Sequence, residues 1–295
     1  MNSTGSGRSY VLPLAFAMTV SMWAVAYVCR LPAVMAPSWI VLVLMLAMVA
    51  LWGWRTGFRT GGGWLAGVMV GAAAAVLNML ILGSILASAD GGGVAPSALW
   101  WVPGSILVIA LIAGGFAAVP GRGVDDVIDP AGWTALFSKV AVAATFLLVV
   151  AGGLVTSNEA GLAVVDWPNT FGSNMFLFPL ARMTGGIYYE HAHRLFGALV
   201  GLTTIVLAVR LWRRDDRPWL RRLATAAVVL VMVQGVLGGL RVTEISDHLA
   251  VLHGCLAQAF FCVLLLIAFV SSNKWFPAAE RLAVEVVARL SRISG

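Results

Sequence analysis

Charge is what this 295-residue chain has least of: Asp, Glu, Lys and Arg make up 11% of it, against roughly 25% in an ordinary soluble domain. With 60% hydrophobic residues and a mean hydropathy of +0.93, the composition excludes a soluble globular fold and points to a polytopic membrane protein. Cysteine is almost as scarce. Cys29, Cys255 and Cys262 lie in apolar stretches and the expected outer loops contain none, so no disulfide framework is expected; single cysteines in such stretches act as small packing residues. Histidine occurs four times, and never in residues 1–120.

Long apolar runs are what the chain has in abundance. A helix needs about 20 apolar residues to span hydrocarbon, and eight stretches qualify, at about 10–30, 38–54, 64–88, 99–119, 134–156, 191–212, 220–242 and 248–271. The expected fold class is all-α, with eight transmembrane helices. The first stretch could pass for a signal sequence with Ala36 near a cleavage point, but its apolar run is long for one. Basic residues fall mostly after the second, fourth and sixth helices (Arg55, Arg59, Arg122 and the run from Arg213 to Arg222) and in the tail. The alternate loops hold only Arg30, Arg182 and Arg241, among Asp90, Glu159, Asp166, Glu244 and Asp247. The positive-inside rule then puts both termini in the cytoplasm, as in an integral protein of the bacterial cytoplasmic membrane. This bias accounts for a pI of 9.8 without calling for nucleic acid; the lipid bilayer is the expected partner. Most of the 12 tryptophans stand near helix ends, as in an aromatic belt.

The organisation is unequal. Residues 1–120 form a four-helix region of unassigned role, with Gly-rich loops at Gly61–Gly63 and Gly91–Gly93, Asn78 as an in-membrane polar group, and scattered methionines that read as packing residues. Residues 121–132 read as a charged cytoplasmic linker. Residues 133–273 supply four more helices and, between Thr156 and Tyr189, an outer loop of roughly 34 residues, long enough to be functional. Residues 274–295 form a tail with Arg281, Glu285, Arg289 and Arg292 on one helical face and Leu282, Val286, Leu290 and Ile293 on another, suited to the cytoplasmic membrane surface.

The histidines carry the chemistry. Imidazoles are costly in lipid without a partner. His193 lies about two residues into the sixth helix and His253 about five into the eighth, and both helices enter from outside, so the two rings share a depth. Two neutral imidazoles opposed across a bundle suit axial ligation of haem iron. Small residues gather nearby: Gly197 and Gly201 on the face of His193, Ala250, Gly254 and Ala257 around His253, with Gly152, Gly153, Gly235, Gly238 and Gly239 on the intervening helices. They make room for a planar ligand or, on the rival reading, for close helix packing. His191 is about 200° around the helix from His193 and faces elsewhere, while His248 beside Asp247 reads as interfacial. Glu190, three residues before His193, is a base or electrostatic stabiliser at the porphyrin edge, or else a partner for Arg194 near a helix N-terminus. Arg194 and Arg241 pair with haem propionates or snorkel to the interface.

Five segments resemble the heme A synthase family over roughly residues 133–272. They are Gly152-Gly153-Leu154-Val155-Thr156, Gly161 to Pro168, Glu190-His191-Ala192-His193-Arg194, Gln234 to Arg241, and Leu252-His253-Gly254. The resemblance implies a C-terminal four-helix haem-binding bundle in which His193 and His253 ligate iron and Glu190 is the catalytic carboxylate. The implied activity is oxidation of the ring methyl of haem O to a formyl group by successive hydroxylations, for cytochrome oxidase maturation. The loop bearing Asp166 and Trp167 would cover the site. Eight-helix members carry a histidine pair in each half. Residues 1–120 have none, so haem b would come from a partner site: a second copy, a haem O synthase or an oxidase assembly partner. The cysteine pair that some members carry in the outer loop is absent. Two other classes compete. A non-catalytic bis-His electron-transfer or oxidase-assembly protein would bind haem without turning it over. A transporter with histidine proton relays is disfavoured by the lack of broken helices and of charge in mid-membrane.

Overall fold

Prolines and glycines set the helix boundaries of the chain, whose computed structural model describes residues 8–81, 83, 95–119 and 130–272. The helices are α1 (Val11–Arg30), α2 (Ser38–Thr60), α3 (Gly63–Ile81), α4 (Ala98–Ala118), α5 (Pro130–Ser157), α6 (Gly185–Arg214), α7 (Pro218–Thr243) and α8 (Asp247–Val270). Pro37 precedes α2 and Pro218 opens α7, where a missing N–H is harmless. Gly61 ends α2 in the left-handed region at φ 59°. The Ser246 side chain caps α8 by accepting the Leu249 N–H, with Asp247 in the first turn. Seven of the described helices are long and apolar enough to cross a membrane, and the apolar stretch Gly63–Met79 of α3 is shorter. The described residues are thus predominantly helical, compatible with the expected polytopic membrane protein. The tail, the Gly91–Gly93 loop and most of the linker lie outside the described residues.

One boundary differs from expectation. Helix α6 begins at Gly185 rather than near residue 191. The polar run Tyr188-Tyr189-Glu190-His191 argues against a lipid-exposed helix, but these four residues are buried beneath other protein elements. His193 thus follows the start of α6 by eight positions and His253 the start of α8 by six, about 12 and 9 Å along their axes.

The first four helices pack through small residues. A Cβ on Gly53 would come within 2.6 Å of Ala113 in α4, and one on Gly71 within 2.8 Å; Gly57 and Gly67 approach the Ala113–Ala117 stretch more closely still. Each pair (Gly53/Gly57, Gly67/Gly71, Ala113/Ala117) is spaced by four, so one stripe on each helix lets the backbones close up.

Helix α1 joins this group to the second half. Phe16 meets Phe137 of α5 with ring centroids 5.2 Å apart, and Trp23 meets Phe196 of α6 at 5.5 Å. The Trp23 indole donates to Asn78 at 2.9 Å, and the Asn78 amide donates to the Ala74 carbonyl at 3.0 Å, so this buried polar residue is satisfied. Near the other end of α1 the Tyr188 hydroxyl donates to the Tyr27 carbonyl at 2.6 Å. In the second half α5 packs against α6 and α8, and α7 against the same two. The α6–α7 turn is tied to the end of α8 by Arg217, which donates to the Asp215 carboxylate at 2.7 Å and to the Val270 carbonyl at 2.9 Å.

Gly57→Ala and Gly67→Ala should each force α4 away from its neighbours and destabilise the protein by about 1–3 kcal/mol, the usual cost of overpacking. Thermal unfolding in detergent reads this. Gly104→Ala and Gly115→Ala, where a Cβ meets nothing within 4 Å, should leave the transition in place.

Candidate functional site

Helices α6 and α8 bring His193 and His253 face to face. Their ring centroids are 6.4 Å apart and the ring planes are nearly perpendicular, at 83°. Each imidazole rests on a glycine of the preceding helix. A Cβ on Gly152 of α5 would lie 3.0 Å from His193 Cε1, and one on Gly238 of α7 3.1 Å from His253 Cε1. Both Nδ1 atoms are buried without a hydrogen-bond partner at bonding geometry. The backbone carbonyl of Leu148 lies toward the His193 ring and that of Gln234 toward the His253 ring, and the Arg241 charge is within reach of both.

The other two histidines separate cleanly. His191, 1% exposed, turns away from this pair; its Nδ1 lies 3.1 Å from Thr170 Oγ1 and its ring 5.0 Å from that of Phe178. It pins the outer loop. His248 is exposed.

Glu190 stands on the buried outer part of α6 at 4% exposure. Its Oε1 accepts the Arg194 Nε–H at 3.1 Å, and its Oε2 is buried without a partner. Arg194 uses its remaining reach on the outer loop, donating to the carbonyls of Val164 (2.8 Å), Asp166 (2.7 Å) and Asn169 (3.1 Å). Four of its five N–H donors are thereby engaged. Arg241 donates to the Gly161 carbonyl at 3.1 Å, and Gly161 has no room for a side chain beneath that guanidinium. Both arginines thus also fasten the loop, a role the sequence did not signal.

The loop has its own order. Strands β1 (Asn169–Thr170) and β2 (Ser173–Asn174) pair antiparallel around a tight turn. The Asp166 carboxylate accepts the N–H groups of Phe171 and Gly172, each at 2.8 Å. Both turn residues have positive φ, 50° at Phe171 and 76° at Gly172. Burial alone would raise the pKa of Asp166, but the Gly172 and Phe171 hydrogen bonds and the Arg194 charge outweigh it and hold the carboxyl below its ordinary value. Trp167 lies flat against Gly239 of α7, where any Cβ would collide with the indole. The loop is therefore fastened to α6 through Arg194 and His191 and to α7 through Arg241 and Gly239.

Two imidazoles are too few to hold a bare metal ion, and among the described residues no group of three or more His, Cys, Asp or Glu could do so. They suit a metal that brings its other ligands with it. Metal–imidazole bonds of about 2 Å on each side, plus a ring half-width of roughly 1 Å each, put the centroids about 6 Å apart, close to the 6.4 Å observed. Gly197, Gly201 and Gly254, beside the two histidines, meet nothing within 4 Å at their would-be Cβ positions, which leaves open space along both helices. Haem fits this donor set.

A family model described as cytochrome oxidase assembly protein matches residues 135–293, more than half the chain. The chain belongs to this family. The likeness to heme A synthases read from the sequence is borne out by curated relatives of that name. The one from Shouchella clausii (strain KSM-K16) is 36% identical over 133 residues, 43% of each chain. The one from Lysinibacillus sphaericus (strain C3-41) is 27% identical over 137 residues, 45% of this chain and 43% of the relative. A protein named protoheme IX farnesyltransferase from Haloarcula marismortui is 29% identical over 148 residues, 50% of this chain and 29% of its own length. The chain spans less than half the length of the heme A synthases it matches. No solved structure matches it. Both histidines of the facing pair, Glu190 and the fastened loop all lie within the family match.

The depressed Asp166 pKa sets a pH window for the loop. Its stabilisation is complete above the ordinary carboxylate range and is lost as pH falls below about 4, through the depressed folded value. Amide protection at Phe171 and Gly172 should hold from pH 7 to pH 5 and then decline, whereas Asp166→Asn should show weakened protection already at pH 7. Equal protection in the two proteins at pH 7 contradicts this account.

Proposed function

We propose that this chain is an oxidoreductase of the heme A synthase type, converting the ring methyl of haem O to a formyl group during cytochrome oxidase maturation. The observation that carries the reading is the His193–His253 pair at 6.4 Å with the buried, half-paired Glu190 carboxylate three residues before His193. Family membership and the relatives' names support it. The likeness to a protein named protoheme IX farnesyltransferase is consistent with it.

In this reading α5–α8 form a four-helix haem-binding bundle with residues 1–120 as a buttress, and both termini lie in the cytoplasm, on the side of the basic loops. His193 and His253 would hold the iron as neutral imidazoles. Haem, when bound, supplies the redox chemistry. Glu190 keeps one oxygen on Arg194, which fixes the carboxyl orientation, and offers Oε2 to hold or accept a proton near the reacting methyl. The fastened loop excludes water from that carboxylate. Residues 1–120 contain no histidine, so a second haem, haem b, would be provided by a partner site in a second copy, a haem O synthase or an oxidase assembly protein.

Co-expression with a haem O source, followed by extraction and identification of haems, tests the proposal. Hydroxylated or formyl haem is expected; persistent haem O removes the enzymatic assignment. Glu190→Gln should lower product formation by about 10²–10⁴-fold while leaving the low-spin spectrum of the bound haem intact. His193→Ala and His253→Ala should lose that spectrum. Full product formation by Glu190→Gln would remove the carboxylate from the reaction, whereas a wild-type protein that binds haem and yields no product would be a haem carrier.

A further inference from the structure

Gly152 and Gly238 differ from the other helical glycines of the chain. In the first half, Gly53, Gly57, Gly67 and Gly71 meet the backbone of a neighbouring helix, as close packing requires, while Gly114 meets the Trp64 and Val68 side chains and Gly104 and Gly115 meet nothing within 4 Å. At Gly152 the three atoms nearest a built Cβ all belong to one imidazole: His193 Cε1, Nδ1 and Nε2 at 3.0, 3.5 and 3.7 Å. At Gly238 they are the same three atoms of His253 in the same order, at 3.1, 3.6 and 3.7 Å. The correspondence extends further. The carbonyl within range of each ring lies four residues before its glycine, Leu148 before Gly152 and Gln234 before Gly238. Each glycine is on the first helix of an antiparallel pair and each histidine on the second.

We infer that Gly152 and Gly238 are positioning residues, equivalent in an internal repeat of the hairpins α5–α6 and α7–α8, that set the crossed orientation of two iron-ligating imidazoles. This rests on the haem-binding reading above. A glycine lets the ring lie against the helix backbone, where a carbonyl can take the Nδ1 proton and leave the other nitrogen for the metal. A methyl group at 3.0–3.1 Å from Cε1 would push the ring off that seat. The repeat covers the seats and not the chemistry. Three residues before His253 stands Ala250, where Glu190 precedes His193, and after it Gly254, where Arg194 follows His193. Two equal seats therefore hold the iron and one side alone carries the carboxylate.

The test compares Gly152→Ala and Gly238→Ala with Gly153→Ala and Gly235→Ala, neighbouring positions where a Cβ meets nothing within 4 Å. Alanine is the better helix former, so each substitution favours the helix itself. Full-length protein is purified with its haem, and electron paramagnetic resonance and haem dissociation are recorded. Wild type should give the strongly anisotropic low-spin signal of crossed imidazoles. Each seat variant should shift those g-values and release haem about 10–100-fold more readily, the range seen when groups supporting metal ligands are altered; the two neighbouring variants should match wild type. Seat variants with wild-type signals, or neighbouring variants altered as much as the seats, overturn the inference. A wild-type protein without a bis-imidazole signal instead overturns the haem reading beneath it. The two seats are read separately, so poor accumulation of one variant leaves the other decisive.

Discussion

Two imidazoles held across a gap inside an apolar helical assembly are the constraint from which the rest of the second half follows. A buried polar atom without a hydrogen bond costs roughly 1–3 kcal/mol, and here both Nδ1 atoms are in that position. Coordination by the other ring nitrogen, with the Leu148 and Gln234 carbonyls drawn in, would offset that cost on both sides. Everything near the rings serves their placement: glycine beneath each, open space along α6 and α8, and similar depth from the two helix starts.

Helix α6 divides its labour by face. His191 and Arg194 are taken up by the outer loop, through a contact to Thr170 and three backbone carbonyls, and Glu190 pairs with Arg194 on the same helix. His193 alone turns to α8. The periodicity of a helix makes this possible, since positions two apart lie on nearly opposite faces. The Glu-x-x-His spacing thus joins two environments: a carboxylate under a fastened loop and an imidazole facing a ligand gap.

Much of this was legible in the sequence because helices in lipid leave strong signals. Seven of the expected spans coincide with described helices long and apolar enough to cross a membrane, and the facing pair His193 and His253 and the separate direction of His191 follow from helical angle. Other features had no local signal. Arg194 and Arg241 bond loop carbonyls, and backbone atoms carry no residue identity. Thr170 is one threonine among many until the β1–β2 turn brings it to His191. Gly152 and Gly238 read from the sequence as space for a macrocycle, but that each supports one imidazole depends on which way neighbouring helices face. The early start of α6 was missed for a similar reason: Tyr188 to His191 are polar by composition and buried by tertiary contact.

The first four helices have a structural meaning even without histidines. Their small-residue stripes hold α2, α3 and α4 together, and α1 carries that group onto α5 and α6 through Phe16, Trp23 and Tyr27, close to the outer end where Glu190 lies. The facing histidines and Glu190 all lie in the second half. The central claim is most directly tested by electron spin-echo envelope modulation of the oxidised protein grown with ¹⁵N-histidine. Two histidine nitrogens coupled to one iron, reduced to one in His253→Ala, are predicted; coupling to a single histidine in the wild-type protein, or to none, would contradict the account.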